Sequence, residues 1–348
     1  MKVAQVGSSS VIAVEGPGGS VLFYWQPIGS QQWNQQIVMQ PGKGNTVSAP
    51  SVAQVGNSSV IAVQLPDAPP GLPGSNQYSG PNMLLFFWQP IGSQQWNQEF
   101  VDGYDSAFSA PSVAQVGDST VIAVQGPRNS LQVYWQPIGS QQWNRETVAG
   151  PGSAFSAPSV AQVGDSTVIA VQGPNDQGPN DTLLFFWQPI GSQQWNQENV
   201  LPGLAVSAPS VAQVGNSTVI AVQGPGNSLQ FHWQPIGSQV WTREIVADPG
   251  SAFSAPSVAQ VGNSTVIAVE GPDGQLQFYW QPIGSQQWNL EDVDALEFAF
   301  SAPSVAQVGN SSVIAVEGPD GSVLFYWQPI GSPQWNREAV APAGTDTE

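Results

Sequence analysis

The pentapeptide Val-Ala-Gln-Val-Gly occurs seven times, beginning at Val3, Val52, Val113, Val160, Val211, Val258 and Val305, at spacings of 49, 61, 47, 51, 47 and 47 residues. A Trp-Gln-Pro-Ile-Gly-Ser segment follows in every copy, at Trp25, Trp88, Trp135, Trp187, Trp233, Trp280 and Trp327, and a second Trp stands eight residues after each. All 14 tryptophans of the 348-residue chain thereby belong to the repeat. A unit this short cannot bury a hydrophobic face alone, so successive copies have to pack against one another.

Within one copy, Ser257 to Val261 reads as a short strand, Gly262-Asn263 as a two-residue hairpin, and Thr265 to Val269 as a strand rich in β-branched residues. Gly271-Pro272-Asp273-Gly274 reads as a turn with proline preset at its second position. Leu276 to Gln281 makes a third strand and Trp288 begins a fourth. Four antiparallel strands in about 47 residues is one propeller blade. The first and last copies match the interior ones, where an open solenoid would need polar terminal caps. The chain also stops 13 residues after Trp335, where the next linker would start, and Met1-Lys2 supplies the end of that linker before Val3. The expectation is an all-β fold: a closed, seven-bladed β-propeller of four-stranded antiparallel blades. It forms one domain over residues 1–348, with blades near 1–47, 48–108, 109–155, 156–206, 207–253, 254–300 and 301–348. Two copies carry insertions at the turn between strands two and three, within Leu65 to Asn82 and within Pro174 to Asp181. In a propeller that turn shares a face with the linkers between blades.

Six Lys and Arg against 24 Asp and Glu give a formal charge of −18, which repels a polyphosphate backbone and argues against nucleic acid as a partner. With no cysteine, disulfides and thiol chemistry are excluded and packing has to hold the fold. The repeat begins within two residues of Met1 and the apolar runs are short, so a soluble chain without a membrane span or classical export leader is expected, cytoplasmic or released by another route.

Catalysis finds a poor inventory. His232 occupies a slot held by Tyr or Phe in the other copies, which reads as aromatic packing rather than a general base. A glutamate recurs in strand four at Glu99, Glu146, Glu198, Glu244, Glu291 and Glu338, with Gln36 in the first copy. Such carboxylates read most simply as solvated, some beside Arg145, Arg243 or Arg337, with no sign that two converge as an acid and base. The run Asn175 to Asp181 offers oxygen ligands but lacks the spacing of a calcium loop, so no metal and no cofactor are expected.

What remains is aromatic and amide-rich, the chemistry that neutral sugars need: indole faces stack on their apolar faces, while amides and hydroxyls bond to their hydroxyls. Period-2 alternation puts Leu276, Phe278 and Trp280 on one strand face, which makes the first Trp set core. The second set, Trp33, Trp96, Trp143, Trp195, Trp241, Trp288 and Trp335, follows a polar loop and supplies the candidate sugar platforms, unless it covers the edge of the neighbouring blade. Asn34, Asn97, Asn144, Asn196, Asn289 and Asn336 are the candidate polar partners. Gln5, Gln54, Gln115, Gln162, Gln213, Gln260 and Gln307 on the innermost strand are assigned to the channel lining or to bonds between blades.

The run Gly262 to Trp280, closed by Trp288-Asn289-Leu290-Glu291, resembles the repeats of PLL-type bacterial propeller lectins and of tectonins, and the likeness covers all seven copies. The resemblance implies seven blades, sugar pockets between adjacent blades for fucose or related sugars, and in some cases homo-oligomers. The resulting reading is a multivalent carbohydrate-binding protein rather than an enzyme. Two others stand beside it: a protein-interaction scaffold using the face of the two insertions, and recent duplication or consensus design without a selected ligand.

Overall fold

Consecutive β-branched strands joined mostly by short turns have one simple solution, the antiparallel meander, and every repeat adopts it. The computed structural model describes residues 1–40, 48–65, 82–175, 178–201 and 205–341. In blade six the strands are Ser257–Val261, Ser264–Glu270, Gln275–Pro282 and Asn289–Phe298, hydrogen-bonded in that order. Val258 faces Ile267, Ala268 faces Phe278, and Phe278 faces Glu291. Gly262 turns the first hairpin at φ +56°, a region costly for any residue with a Cβ. Pro272 opens a single 3-10 turn at the second, and the Gly271 N–H closes it on the carbonyl of Gln275 at 2.7 Å. The fourth strand starts one residue later than the sequence suggests, so Trp288 sits in the loop before it rather than in the ladder.

Seven such sheets make the ring, each from four consecutive strands. Blade one uses only N-terminal strands (Lys2–Val6 to Asn34–Met39) and blade seven only C-terminal ones (Ser304–Val308 to Asn336–Ala341), so no strand is shared across the closing joint. Side chains close it instead. The Gly309 N–H donates to Gln5 Oε1 at 2.9 Å, and the same bond joins every neighbouring pair: Gly7 to Gln54, Gly56 to Gln115, Gly117 to Gln162, Gly164 to Gln213, Gly215 to Gln260 and Gly262 to Gln307. The innermost glutamines thus form a continuous belt, the inter-blade bond expected of them.

The hydrophobic core is likewise divided into seven, and each cluster lies between two blades rather than within one. The cluster of the closing joint joins Val3, Ile12 and Tyr24 to Val313, Phe325 and Ala341, and that of blades six and seven joins Leu276 and Phe278 to Ile314 and Tyr326. Each joint therefore carries its own burial, and no blade has a core of its own.

The linkers and the turns between strands two and three share one face: the Ala154 N–H donates to Asn129 O, and the Ala252 N–H to Asn227 O. On this face Tyr104, Phe108, Val206, Phe253 and Phe300 are exposed. Most of the blade-two insertion, residues 66–81, lies outside the described residues, as do the side chains of 175–181 in the blade-four insertion. No helix among the described residues is long and apolar enough to cross a membrane.

Candidate functional site

On the opposite face, the loop between strands three and four of one blade leans over the first hairpin of the blade before it. Ile330 lies 3.4 Å from where a Cβ on Gly262 would stand, and the same Ile-over-Gly contact recurs at all seven joints. The Ile330 N–H is fixed within its own blade, donating to Asn310 O at 2.9 Å. Beneath this lip a cleft opens at four of the joints. Between blades six and seven it measures about 580 Å³, with Val266, Phe278, Trp280 and Glu291 on one wall and Gln328 and Ile330 on the other. Clefts of the same make-up occur between blades three and four (about 510 Å³), four and five (about 340 Å³), and seven and one (about 310 Å³). These volumes suit a small ligand.

The recurrent glutamate organises the cleft. Glu291 Oε2 accepts from Gln328 Nε2 at 2.8 Å and Trp335 Nε1 at 3.0 Å, both of the next blade, while Oε1 accepts from Trp280 Nε1 of its own blade at 2.9 Å. Glu99 and Glu244 repeat all three bonds, and Glu198 and Glu338 repeat the two across the joint. In blade one Gln36 substitutes: its Oε1 accepts from Gln89 and Trp96, and its Nε2 donates to the Gln94 carbonyl. These side chains are therefore not the solvated surface carboxylates expected from the sequence. They are half-buried acceptors shared between two blades. Two of the arginines form ion pairs elsewhere, Arg145 with Asp102 at 3.0 Å and Arg337 with Asp294 at 3.8 Å.

The second set of tryptophans closes the joints. Trp33, Trp96, Trp143, Trp241, Trp288 and Trp335 each lie edge-on to a phenylalanine of the preceding blade, at centroid distances of 4.9 to 5.1 Å. Ring edge and indole N–H are both engaged, which is the blade-covering role that competed with a platform role. The asparagines beside them act within their own blades: Asn34, Asn97, Asn144, Asn196, Asn289 and Asn336 donate Nδ2–H to the carbonyls of Trp25, Trp88, Trp135, Trp187, Trp280 and Trp327.

The first set departs from its assignment to the core. Leu276 and Phe278 are buried, but Trp280 and its equivalents are half-buried, because they stand at the rim where the cleft separates the blades. Trp135, Trp187, Trp280 and Trp327 line the four clefts. Trp88, Trp233 and Trp280 are tied to the glutamate, whereas Trp25, Trp187 and Trp327 stack on the phenylalanine two residues earlier at 5.8 to 6.0 Å. The cleft residues that sequence reasoning passed over are thus these tryptophans, the glutamates and the Gln before Pro. Their signal was recurrence of a carboxylate in a strand otherwise free to vary.

His232 is 1% exposed, and neither ring nitrogen has a hydrogen-bond partner. Burial, assisted by the Arg243 charge, pushes its pKa down to about 3, so it is neutral and packs as an aromatic ring. Among the described residues no group of three or more acidic or histidine side chains is placed to hold a metal ion.

No protein-family model matches the chain, and no curated protein does. The fold is that of solved propellers. The BP39L lectin of Burkholderia pseudomallei superposes with a TM-score of 0.78 at 18% identity, over 99% of this chain and 98% of that one. Aleuria aurantia lectin, a six-bladed propeller that recognises fucose, gives 0.56 at 15% identity over 87% of this chain and 97% of its own. A prolyl endopeptidase gives 0.63 at 9% identity, over 99% of this chain but 50% of its own.

Proposed function

We propose that the chain is a multivalent carbohydrate-binding protein that holds neutral, fucose-like sugars in the clefts between its blades. The observation that carries this reading is the repetition, cleft after cleft, of a half-buried indole beside amide and hydroxyl groups, with an apolar wall of Val, Phe and Ile. An indole face takes the C–H face of a pyranose, and uncharged amides and hydroxyls read its hydroxyls. In this reading Trp280 and its equivalents are the platforms, while Trp288, Asn289 and their equivalents hold the cleft in shape. The fold shared with BP39L and Aleuria lectins supports the same class. Binding rather than catalysis is supported by a buried, neutral His232 and by glutamates whose oxygens already bond within the protein. One shallow site would bind at roughly millimolar strength, about −4 kcal/mol. Several sites on a clustered glycan would raise avidity by about 10² to 10⁴.

The test is a glycan array with labelled protein, followed by titration of each hit against tryptophan fluorescence. Saturable binding of several sugars per chain, lost in Trp280→Ala and its equivalents with the fold intact, is expected. A blank array with folded protein overturns the reading. It would favour a protein-interaction scaffold, for which the exposed Tyr104, Phe108, Phe253 and Phe300 on the linker face speak.

A further inference from the structure

Val133 stands where the other six blades carry phenylalanine (Phe23, Phe86, Phe185, Phe231, Phe278 and Phe325). Its effect is felt across the joint, in blade four. Trp195 faces that position and has no ring to meet edge-on, and its buried Nε1 has no hydrogen-bond partner. Glu146, the counterpart of Glu291, accepts no hydrogen bond from the described residues, and Gln188 makes none of the contact that Gln328 gives Glu291. Gln188 is accordingly only partly buried, whereas its six counterparts, from Gln26 to Gln328, are 5 to 7% exposed. Trp195 lines the cleft of its joint, and no other member of its set lines any of the other three clefts described.

We infer that the cleft between blades three and four is a binding site of its own kind, opened by Val133, and that its ligand is a neutral compound with adjacent hydroxyl groups. The chemistry of the unengaged atoms selects that class. Glu146 offers free acceptors, while Trp195 Nε1 and Gln188 Nε2 offer free donors. A hydroxyl satisfies both kinds, because it donates and accepts. An ammonium ion would satisfy Glu146 but accept from neither donor, and it would meet the Arg145 guanidinium on the same wall. An anion would meet Glu146. Two indoles, Trp135 and Trp195, supply apolar surface for the C–H groups between the hydroxyls. At the other joints the corresponding groups are engaged, since a glutamate, or Gln36 between blades one and two, already holds the next blade's Gln and Trp. The assignment rests on the carbohydrate reading and goes beyond it by naming one joint and the residue that sets it apart.

The test follows the fourteen indole N–H resonances of ¹⁵N-labelled protein, assigned by single Trp→Phe variants, during titration with methyl α-L-fucoside, methyl α-D-mannoside, methyl β-D-galactoside and myo-inositol. Trp195 and Trp135 should shift at concentrations about tenfold or more below those that move any other indole. Val133→Phe, which installs the residue of the other six blades, should abolish that response and leave the others unchanged. The isosteric Glu146→Gln should weaken it about tenfold without altering the fold. Trp195 moving in step with its six counterparts, or unaffected by both substitutions, overturns the assignment while the repeated-cleft reading stands. Silence at every indole overturns both. A response confined to Trp195 and Trp135 supports the assignment and overturns multivalency.

Discussion

Trp335 donates its indole N–H across a blade joint to Oε2 of Glu291 at 3.0 Å. The same carboxylate collects Gln328 from the next blade and Trp280 from its own, so one side chain holds three donors from two blades. Glu291→Ala strands all three, and the expected loss is about 2–4 kcal/mol in chemical denaturation. Glu291→Gln should cost only about 1 kcal/mol. Gln36 shows why: an amide oxygen accepts from Gln89 and Trp96 at the joint of blades one and two, where Trp25 stacks on Phe23 instead of bonding. Trp280 freed by the Gln variant should stack on Phe278 in the same way, which a crystal structure of that variant would reveal. Equal losses for the two variants would mean that charge, not acceptor count, holds the joint.

The closing joint relies on side chains alone, and Gln5 is its belt member. Gln5→Ala removes the acceptor of the Gly309 N–H. Exchange of the Gly309 amide should accelerate while that of Gly164, bonded to Gln213 three joints away, stays as it was. An unchanged Gly309 rate would show that packing of Val3, Ile12 and Phe325 closes the ring without the belt.

Blade number, strand order and hairpins were legible because β-branched runs, the Gly-Asn pairs and the Pro-Asp-Gly turn act locally. The belt glutamines were legible too, since an amide on an innermost strand has few other partners. The glutamates were misread because most of their partners lie on another blade, out of reach of local pattern, and strand periodicity assigns a face without saying what covers it. The placement of the two tryptophan sets was hidden for the same reason. Alternation placed Trp280 inward, yet the cleft begins at its end of the strand, and Trp288 reaches inward from a loop that has no periodicity.

His232 should make the protein more sensitive to acid than its carboxylates alone would. Its pKa falls from 6.5 unfolded to about 3 folded, so between those pH values the unfolded chain binds the extra proton. Above pH 6.5 the neutral ring costs nothing by titration, and below it stability is lost, reaching roughly 3–5 kcal/mol by pH 3. His232→Phe puts in the residue that fills the slot at Phe87 and Phe186, both buried. It should add about 1–3 kcal/mol at pH 7 by removing two unpartnered nitrogens, and the gap from the parent should widen as pH falls from 6.5. Denaturation of both proteins from pH 3 to 8 checks this. A gap independent of pH would mean that His232 titrates as it does in the unfolded chain.

If one missing phenylalanine opens a joint, the opening should be transferable. Phe231 in blade five packs edge-on against Trp288 at 5.1 Å, and Trp288 donates to Glu244 Oε2 at 2.9 Å. Phe231→Val recreates at that joint the arrangement of Val133 and Trp195. Removing the ring should cost about 1–3 kcal/mol through lost burial and the aromatic pair. Having lost its edge contact, the indole should leave Glu244 and turn into the cleft, so that the Trp288 N–H resonance moves toward that of Trp195 and Gln281 Nε2 exchanges faster. If Trp288 stays on Glu244, the hydrogen bond holds the indole without the ring. The state of Trp195 would then need a cause in blade four, since Val133 alone would not produce it.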